Sequence, residues 1–217
     1  MPIKYKLIFY TGLISGILIT VGDYLAQMRS VEPEYFTERL ISLPVETIYY
    51  ISYGCIFLFP LWLSGYYLIY KSVEKVNKPL AGTAVLTAVY STLTLMIFHF
   101  SYIVIYTLGK CSSEFLQQYR DRIVAVNDPF NFFMFILLPL SWIVIAFLNW
   151  NKKSFLPRLN ILLNPVCLSL LFAILTFLSP AIFESFQPGI FSVGVTLNYI
   201  TAFRSIMKKY KSTLNPE

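Results

Sequence analysis

Apolar residues fall in six long runs, near 6–28, 45–70, 80–108, 129–149, 161–182 and 190–207, and the short segments between them hold most of the charge. An α-helix rising about 1.5 Å per residue needs roughly 20 residues to cross a bilayer, which each run approaches or exceeds. Lipid offers no partner for a backbone amide, so a spanning segment of this kind is helical. The pattern predicts an all-α, polytopic transmembrane bundle of six helices. Pro188 and Gly189 interrupt the fifth and sixth runs, which predicts a tight helical hairpin. No run repeats another and no low-complexity linker divides the chain, so residues 1–217 read as a single transmembrane domain.

Polar positions inside the runs are periodic. In the first run Gly12, Gly16, Thr20, Asp23 and Gln27 recur by threes and fours, so they share one helix face. Gly12 and Gly16 form a G-x-x-x-G pair, which permits close helix approach. The second run carries Glu46, Tyr50, Tyr53, Phe57, Pro60, Ser64 and Tyr67 at the same spacing, and the third carries Ala81, Ala84, Ala88, Thr92, Leu95, His99, Tyr102 and Tyr106. The fourth begins with Asp128 and Asn131, and Arg39 precedes the second. Asn198, and Asn164 with Pro165, read as isolated packing or capping residues.

The single histidine lies in "HFSYIVIY", residues 99 to 106. It is about 7 to 8 Å from the centre of its run, too deep for an interfacial position. A titratable ring at that depth has to face protein or water. Four runs thus bring polar or ionisable groups to one half of the membrane, which predicts a cavity open to the outer face and lined by Asp23, Glu46, Tyr50, Tyr53, His99, Tyr102, Tyr106 and Asn131. The same residues allow a plainer reading, a helix interface in which Asp23 and His99 satisfy each other at a worth of about 1 kcal/mol.

Charge sets the expected orientation. Lys4, Lys6, Lys71, Lys75, Lys78, Lys152, Lys153, Arg158, Arg204, Lys208, Lys209 and Lys211 fall on one side of the predicted spans, twelve of the seventeen basic residues. Arg29, Arg39, Lys110, Arg120 and Arg122 fall on the other, with most of the acids. The positive-inside rule then places both termini in the cytoplasm, with the connections at 29–44, 109–128 and 183–189 outside. The basic N-terminal stretch resembles a secretory signal, but its apolar part is long and carries Asp23, so it reads as a retained first helix.

Composition agrees: 57% of residues are hydrophobic, 13% are charged and the mean hydropathy is +0.64. That leaves too little polar surface for a water-soluble globule, so the principal partner is the lipid bilayer. Nineteen Phe and sixteen Tyr suit the acyl and headgroup regions. The net charge of +6 is dispersed among connecting segments and forms no basic and aromatic surface for nucleic acid. Cys55, Cys111 and Cys167 lie in separate segments and read as structural thiols.

The motif inventory removes several activities. One histidine rules out bis-histidine haem ligation, and no H-E-x-x-H or Cys/His cluster offers a zinc site. The chain has no P-loop, dinucleotide fingerprint or G-x-S-x-G elbow, so no cofactor is expected. What remains is a pocket for a small amphipathic or lipid-like molecule, with two alternatives. One is a lipid-modifying enzyme using His and carboxylate acid–base chemistry. The other is a small-solute transporter, although the inverted repeats common in transporters are lacking.

At "SGILITVGDYL" and "LPRLNILLNPV" the chain resembles a group of uncharacterised bacterial six-helix integral membrane proteins. The resemblance rests on Gly22 and Asp23 near the outer end of the first helix, and on Pro157, Asn164 and Pro165 at the fifth. It implies a bacterial cytoplasmic membrane and no known activity.

Overall fold

A computed structural model describes residues 3–27, 40–110, 114–180 and 189–214; the side chains of Gln27, Asp128 and Asn131 lie outside the described set. Helix α1 is Ile3–Gln27. The second apolar run is built in pieces: α2 (Val45–Tyr49), a π-helical turn (Tyr50–Gly54), α3 (Cys55–Leu63) and α4 (Tyr66–Val73). Helix α5 is Lys78–Gly109, α6 is Glu114–Trp150, α7 is Pro165–Leu178 and α8 is Ile190–Leu214. A 3-10 turn at Arg158–Ile161 precedes α7. Among the described residues every regular element is helical.

Four stretches are helical and long and apolar enough to cross a membrane: Ile3–Leu25, Val45–Val73, Lys78–Gly109 and Ile190–Tyr210. Apolar helix also covers Met134–Trp150 and Pro165–Leu178, which are shorter. Two expected boundaries change. The segment 109–128, expected as a connection, is helical from Glu114 onward and continuous with the fourth run. Hydropathy marks where a helix meets lipid rather than where it ends, and the Gln, Arg and Glu residues of 114–122 are good helix formers. The fifth run, expected over 161–182, has its described α-helix at Pro165–Leu178, about 21 Å at the usual rise, with residues 181 and 182 outside the described set. Asn164 sets its start: the Oδ1 accepts from the Val166 N–H at 3.0 Å, and Pro165 at the first position needs no amide donor.

The second run breaks for local reasons. Pro60 has no N–H for the Ile56 carbonyl. Ser64 and Gly65 then bond three residues back, to the carbonyls of Leu61 and Trp62 at 3.2 and 3.0 Å. At Gly65 a Cβ would overlap the ring of Tyr199, so the break admits that ring to the centre. There Trp62, Tyr66, Trp142 and Tyr199 pack edge to face or tilted, each no more than 1% exposed. Tyr66 and Thr92 hydroxyls share a hydrogen bond of 3.3 Å within this cluster.

Helix α1 approaches closely enough that a Cβ on Gly12 would sit 3.2 Å from the Gly65 Cα, and one on Gly16 would overlap Thr196 Oγ1 and press on the Trp62 indole. Opposite this face, Ile3, Leu7, Tyr10, Ile14, Ile17, Val21 and Leu25 form an exposed stripe along the whole helix. Exposed apolar side chains continue around the bundle through Phe57, Leu86, Phe147 and Phe177. A water-soluble monomer rarely shows so extensive an apolar exterior.

Three buried asparagines join distant segments. Asn160 Nδ2 donates to Asn198 Oδ1 at 2.7 Å, and Asn198 Nδ2 donates to the carbonyls of Leu163 and Gly194. Asn164 Nδ2 reaches the Trp142 carbonyl at 2.9 Å. Asn164 and Asn198, isolated in the sequence, therefore belong to one junction that ties the turn before α7 to α6 and α8. At the far end of α8 the Tyr5 ring lies 6.2 Å from that of Tyr67 and 5.7 Å from that of Tyr210. The Phe155 N–H bonds the Ser72 carbonyl at 2.9 Å, so the start of α1, the end of α4, the α6–α7 connection and the end of α8 meet at one end.

Gly16 and Gly82 provide a matched pair, because a Cβ on Gly82 meets nothing within 4 Å. Gly16→Ala is expected to lower stability by about 1 to 3 kcal/mol through overpacking. Gly82→Ala is expected to be neutral or stabilising, since alanine is the better helix former. Thermal unfolding in detergent, followed by labelling of buried Cys55, reads both; equal melting temperatures would mean the α1 contact does not limit stability.

Candidate functional site

Two turns beyond Gly16 on the same face, α1 presents Asp23 to α5 and α8. The Ser192 hydroxyl donates to Asp23 Oδ2 at 2.5 Å, and His99 Nε2 lies 3.5 Å from Asp23 Oδ1. His99 Nδ1 is 2.9 Å from the Leu95 carbonyl, one turn back on its own helix. A carbonyl only accepts, so a proton on Nδ1 completes that bond, and a second on Nε2 would make the Asp23 contact an ion pair. The imidazole is 4% exposed and sits between the rings of Phe59 and Tyr102, at centroid distances of 5.4 and 5.1 Å. It thereby joins the main core, which contains Phe59, to a second apolar cluster of Leu40, Ile48, Ile51, Tyr102 and Ile105.

Beside these groups lies a cavity of about 370 Å³. Asp23, Leu95, His99, Tyr102, Phe191 and Ser192 line it from α1, α5 and α8. Met134, Phe135, Leu138 and Pro139 of α6 and Ser169 of α7 close the other side. Pro139 has no amide hydrogen for the Phe135 carbonyl, so α6 is weakened where it borders the space. The volume falls in the range of small-molecule sites, and an apolar lining with a few convergent polar groups is their usual composition.

Of the residues expected to line a cavity, Asp23, His99 and Tyr102 are brought together here. Glu46 is exposed. Tyr50 is turned onto α1, where its hydroxyl donates to the Leu18 carbonyl at 2.7 Å. Tyr53 is 45% exposed and packs against Phe100. Tyr106 leans on the second apolar cluster, with the Lys110 ammonium 5.5 Å from its ring centre. The Asn131 side chain lies outside the described residues. The second run instead buries Ile48, Ile51, Ser52, Cys55, Phe59, Trp62 and Tyr66, and the stripe through Tyr53, Phe57 and Tyr67 faces outward.

Sequence reasoning missed Ser192, Ser169 and Pro139. The signal for Ser192 was present, since Ser192, Thr196 and Tyr199 recur by four and three along the sixth run. The order of the polar groups limits their chemistry. Here the carboxylate stands between hydroxyl and imidazole, whereas a serine nucleophile needs the imidazole in the middle to take its proton. The arrangement lacks the geometry to activate Ser192 as a nucleophile.

A double-mutant cycle measures the contact between α1 and α5. Asp23→Asn and His99→Ala are each expected to destabilise the protein, and the double variant to recover about 1 kcal/mol relative to their sum. Thermal unfolding in one detergent checks this; strict additivity would show that the 3.5 Å contact contributes nothing.

No curated protein and no solved structure matches the chain. A family model does, over residues 1–209, and by that match the chain belongs to DUF6796, a family of unknown function.

Proposed function

We propose that the protein crosses a bacterial cytoplasmic membrane six times, with both termini in the cytoplasm, and holds a small amphipathic or lipid-like molecule in the cavity beside Asp23 and His99. The observation that carries the binding reading is the division of that cavity: Asp23, His99 and Ser192 offer donors and acceptors on one wall, while Leu138, Pro139 and Phe135 offer an apolar one. A molecule with one polar end and an apolar body matches both. The six-span count is supported by the outward apolar faces of α6 and α7, through Leu140, Ile143 and Phe147 and through Leu170, Ile174 and Phe177. Orientation is supported by Lys71, Lys75 and Lys209, which meet at one end of the bundle and obey the positive-inside rule if that end is cytoplasmic.

Native mass spectrometry of the gently solubilised protein tests the binding reading. Wild type is expected to retain a defined small molecule, and Ser169→Trp, which puts an indole into the cavity and leaves the residues of the polar trio unsubstituted, to lose it while staying folded. Loss is also expected from the Asp23→Asn, His99→Ala double variant. An empty wild type, or a ligand kept by Ser169→Trp, would rule the cavity out as its site. Chemical change of the retained molecule by wild type alone would extend binding to acid–base catalysis.

Reporter fusions test the orientation. Alkaline phosphatase joined after Leu214 is expected to be inactive and joined after Lys110 to be active, because the enzyme matures only outside the cytoplasm. The reverse pattern would invert the topology.

A further inference from the structure

The opposite end of the bundle holds a second pocket, of about 280 Å³, that the cavity reading does not use. Its lining comes from α1, the end of α4, the α6–α7 connection and α8, four segments distant in sequence. Among its residues are Lys71, Lys75 and Lys209 against a single carboxylate, Glu74. Glu74 is engaged by Lys71, whose Nζ donates to both carboxylate oxygens at 3.1 and 3.0 Å. Lys75 and Lys209 converge on one phenyl ring, with their ammoniums 5.4 and 3.9 Å from the Phe155 centroid.

Two like charges gathered on one ring repel each other, and a cation–π contact of about 0.5 to 1 kcal/mol at an exposed site offsets this only in part. An anion between them would relieve the repulsion. The pocket is also fixed rather than incidental. Phe155 is held by its N–H bond to the Ser72 carbonyl, and the connection carrying it is closed by Ser154 Oγ donating to Asn149 Oδ1 at 2.9 Å and by Asn149 Nδ2 donating to the Pro157 carbonyl. Tyr5 and Tyr210 complete the lining with phenol hydroxyls and with rings of the kind that settle at headgroup depth.

We infer that this pocket binds the phosphate group of an anionic phospholipid headgroup, with Lys75 and Lys209 as its principal charges. The inference rests on the reading that this end lies at a bilayer surface. Basic pockets between spanning helices at such a surface are where acidic headgroups are held.

The test uses the purified full chain in a neutral detergent, so its outcome does not depend on topology, which the fusions read separately. Dihexanoyl-phosphatidylglycerol, dihexanoyl-phosphatidylcholine and inorganic phosphate are titrated while thermal unfolding is followed. Phosphatidylglycerol is expected to raise the unfolding temperature saturably, and phosphatidylcholine with the same tails is not. The Lys75→Gln, Lys209→Gln double variant is expected to lose about 30-fold in affinity for phosphatidylglycerol. Lys75→Arg with Lys209→Arg should retain the response, and Lys152→Gln with Lys153→Gln, outside the pocket, should leave it unchanged. A saturable response to inorganic phosphate that vanishes in the Gln variant would keep the site and assign its anion to solution instead. Equal responses to the two lipids, or a phosphatidylglycerol response that survives in the Gln variant, would overturn the inference.

Discussion

The close approach of α1 to its neighbours governs the rest of the arrangement. At Gly12 the backbone of α1 meets that of the second run at Gly65, and at Gly16 it meets Thr196 and the Trp62 indole. With no hydrophobic drive between helices in lipid, association rests on van der Waals packing and interhelical hydrogen bonds, and small residues gain most from both. Gly16 pairs with Thr196 and Asp23 with Ser192, so α8 runs antiparallel to α1 and supplies its polar residues in the matching order. Seven residues separate Gly16 from Asp23, two turns on one face. The glycine contact therefore determines that the carboxylate points inward at the level of His99.

Where a single period runs unbroken, sequence was enough to read the face. The α5 positions Ala81, Ala84, Ala88, Thr92, His99 and Tyr102 are all buried, and the glycine stripe of α1 packs as its spacing predicts. The second run failed because its period is interrupted. A π-helical turn at Tyr50–Gly54 and the break at Ser64 and Gly65 shift the phase, so positions extrapolated inward from Glu46 end on the outer surface. Tyrosine added to the error, since its hydroxyl reads as a lining group although the residue is equally suited to the membrane boundary. Ser192 escaped notice because a small hydroxyl near the start of a run resembles a cap, and its partner is 169 positions away. The asparagine junction was invisible for a similar reason, as Asn160 and Asn198 are 38 residues apart.

The two buried polar clusters show how the same constraint yields different outcomes. A polar group out of reach of water must find a partner in the protein. The amides of Asn160, Asn164 and Asn198 donate to a carboxamide oxygen and to the carbonyls of Leu163, Gly194 and Trp142, which spreads the turn before α7 across α6 and α8. These donors reach Leu163 and Trp142 in other segments, Gly194 one turn back on α8, and the next asparagine, and the described cavities do not reach them. Asp23, His99 and Ser192 also contact one another, but they border open volume.

That difference bears on how a ligand of the proposed kind would sit. His99 Nδ1 is directed along its own helix to Leu95, and the Ser192 proton is directed to Asp23, so neither group is free to turn toward a new partner without breaking a bond it has. The edge left for exchange is the 3.5 Å gap between His99 Nε2 and Asp23 Oδ1, longer than a good hydrogen bond. A hydroxyl or ammonium placed at that edge would donate to Asp23. The body of the molecule would then extend along Phe135, Leu138 and Pro139 of α6. A ligand of the proposed kind would be recognised by one short polar end and the apolar length behind it.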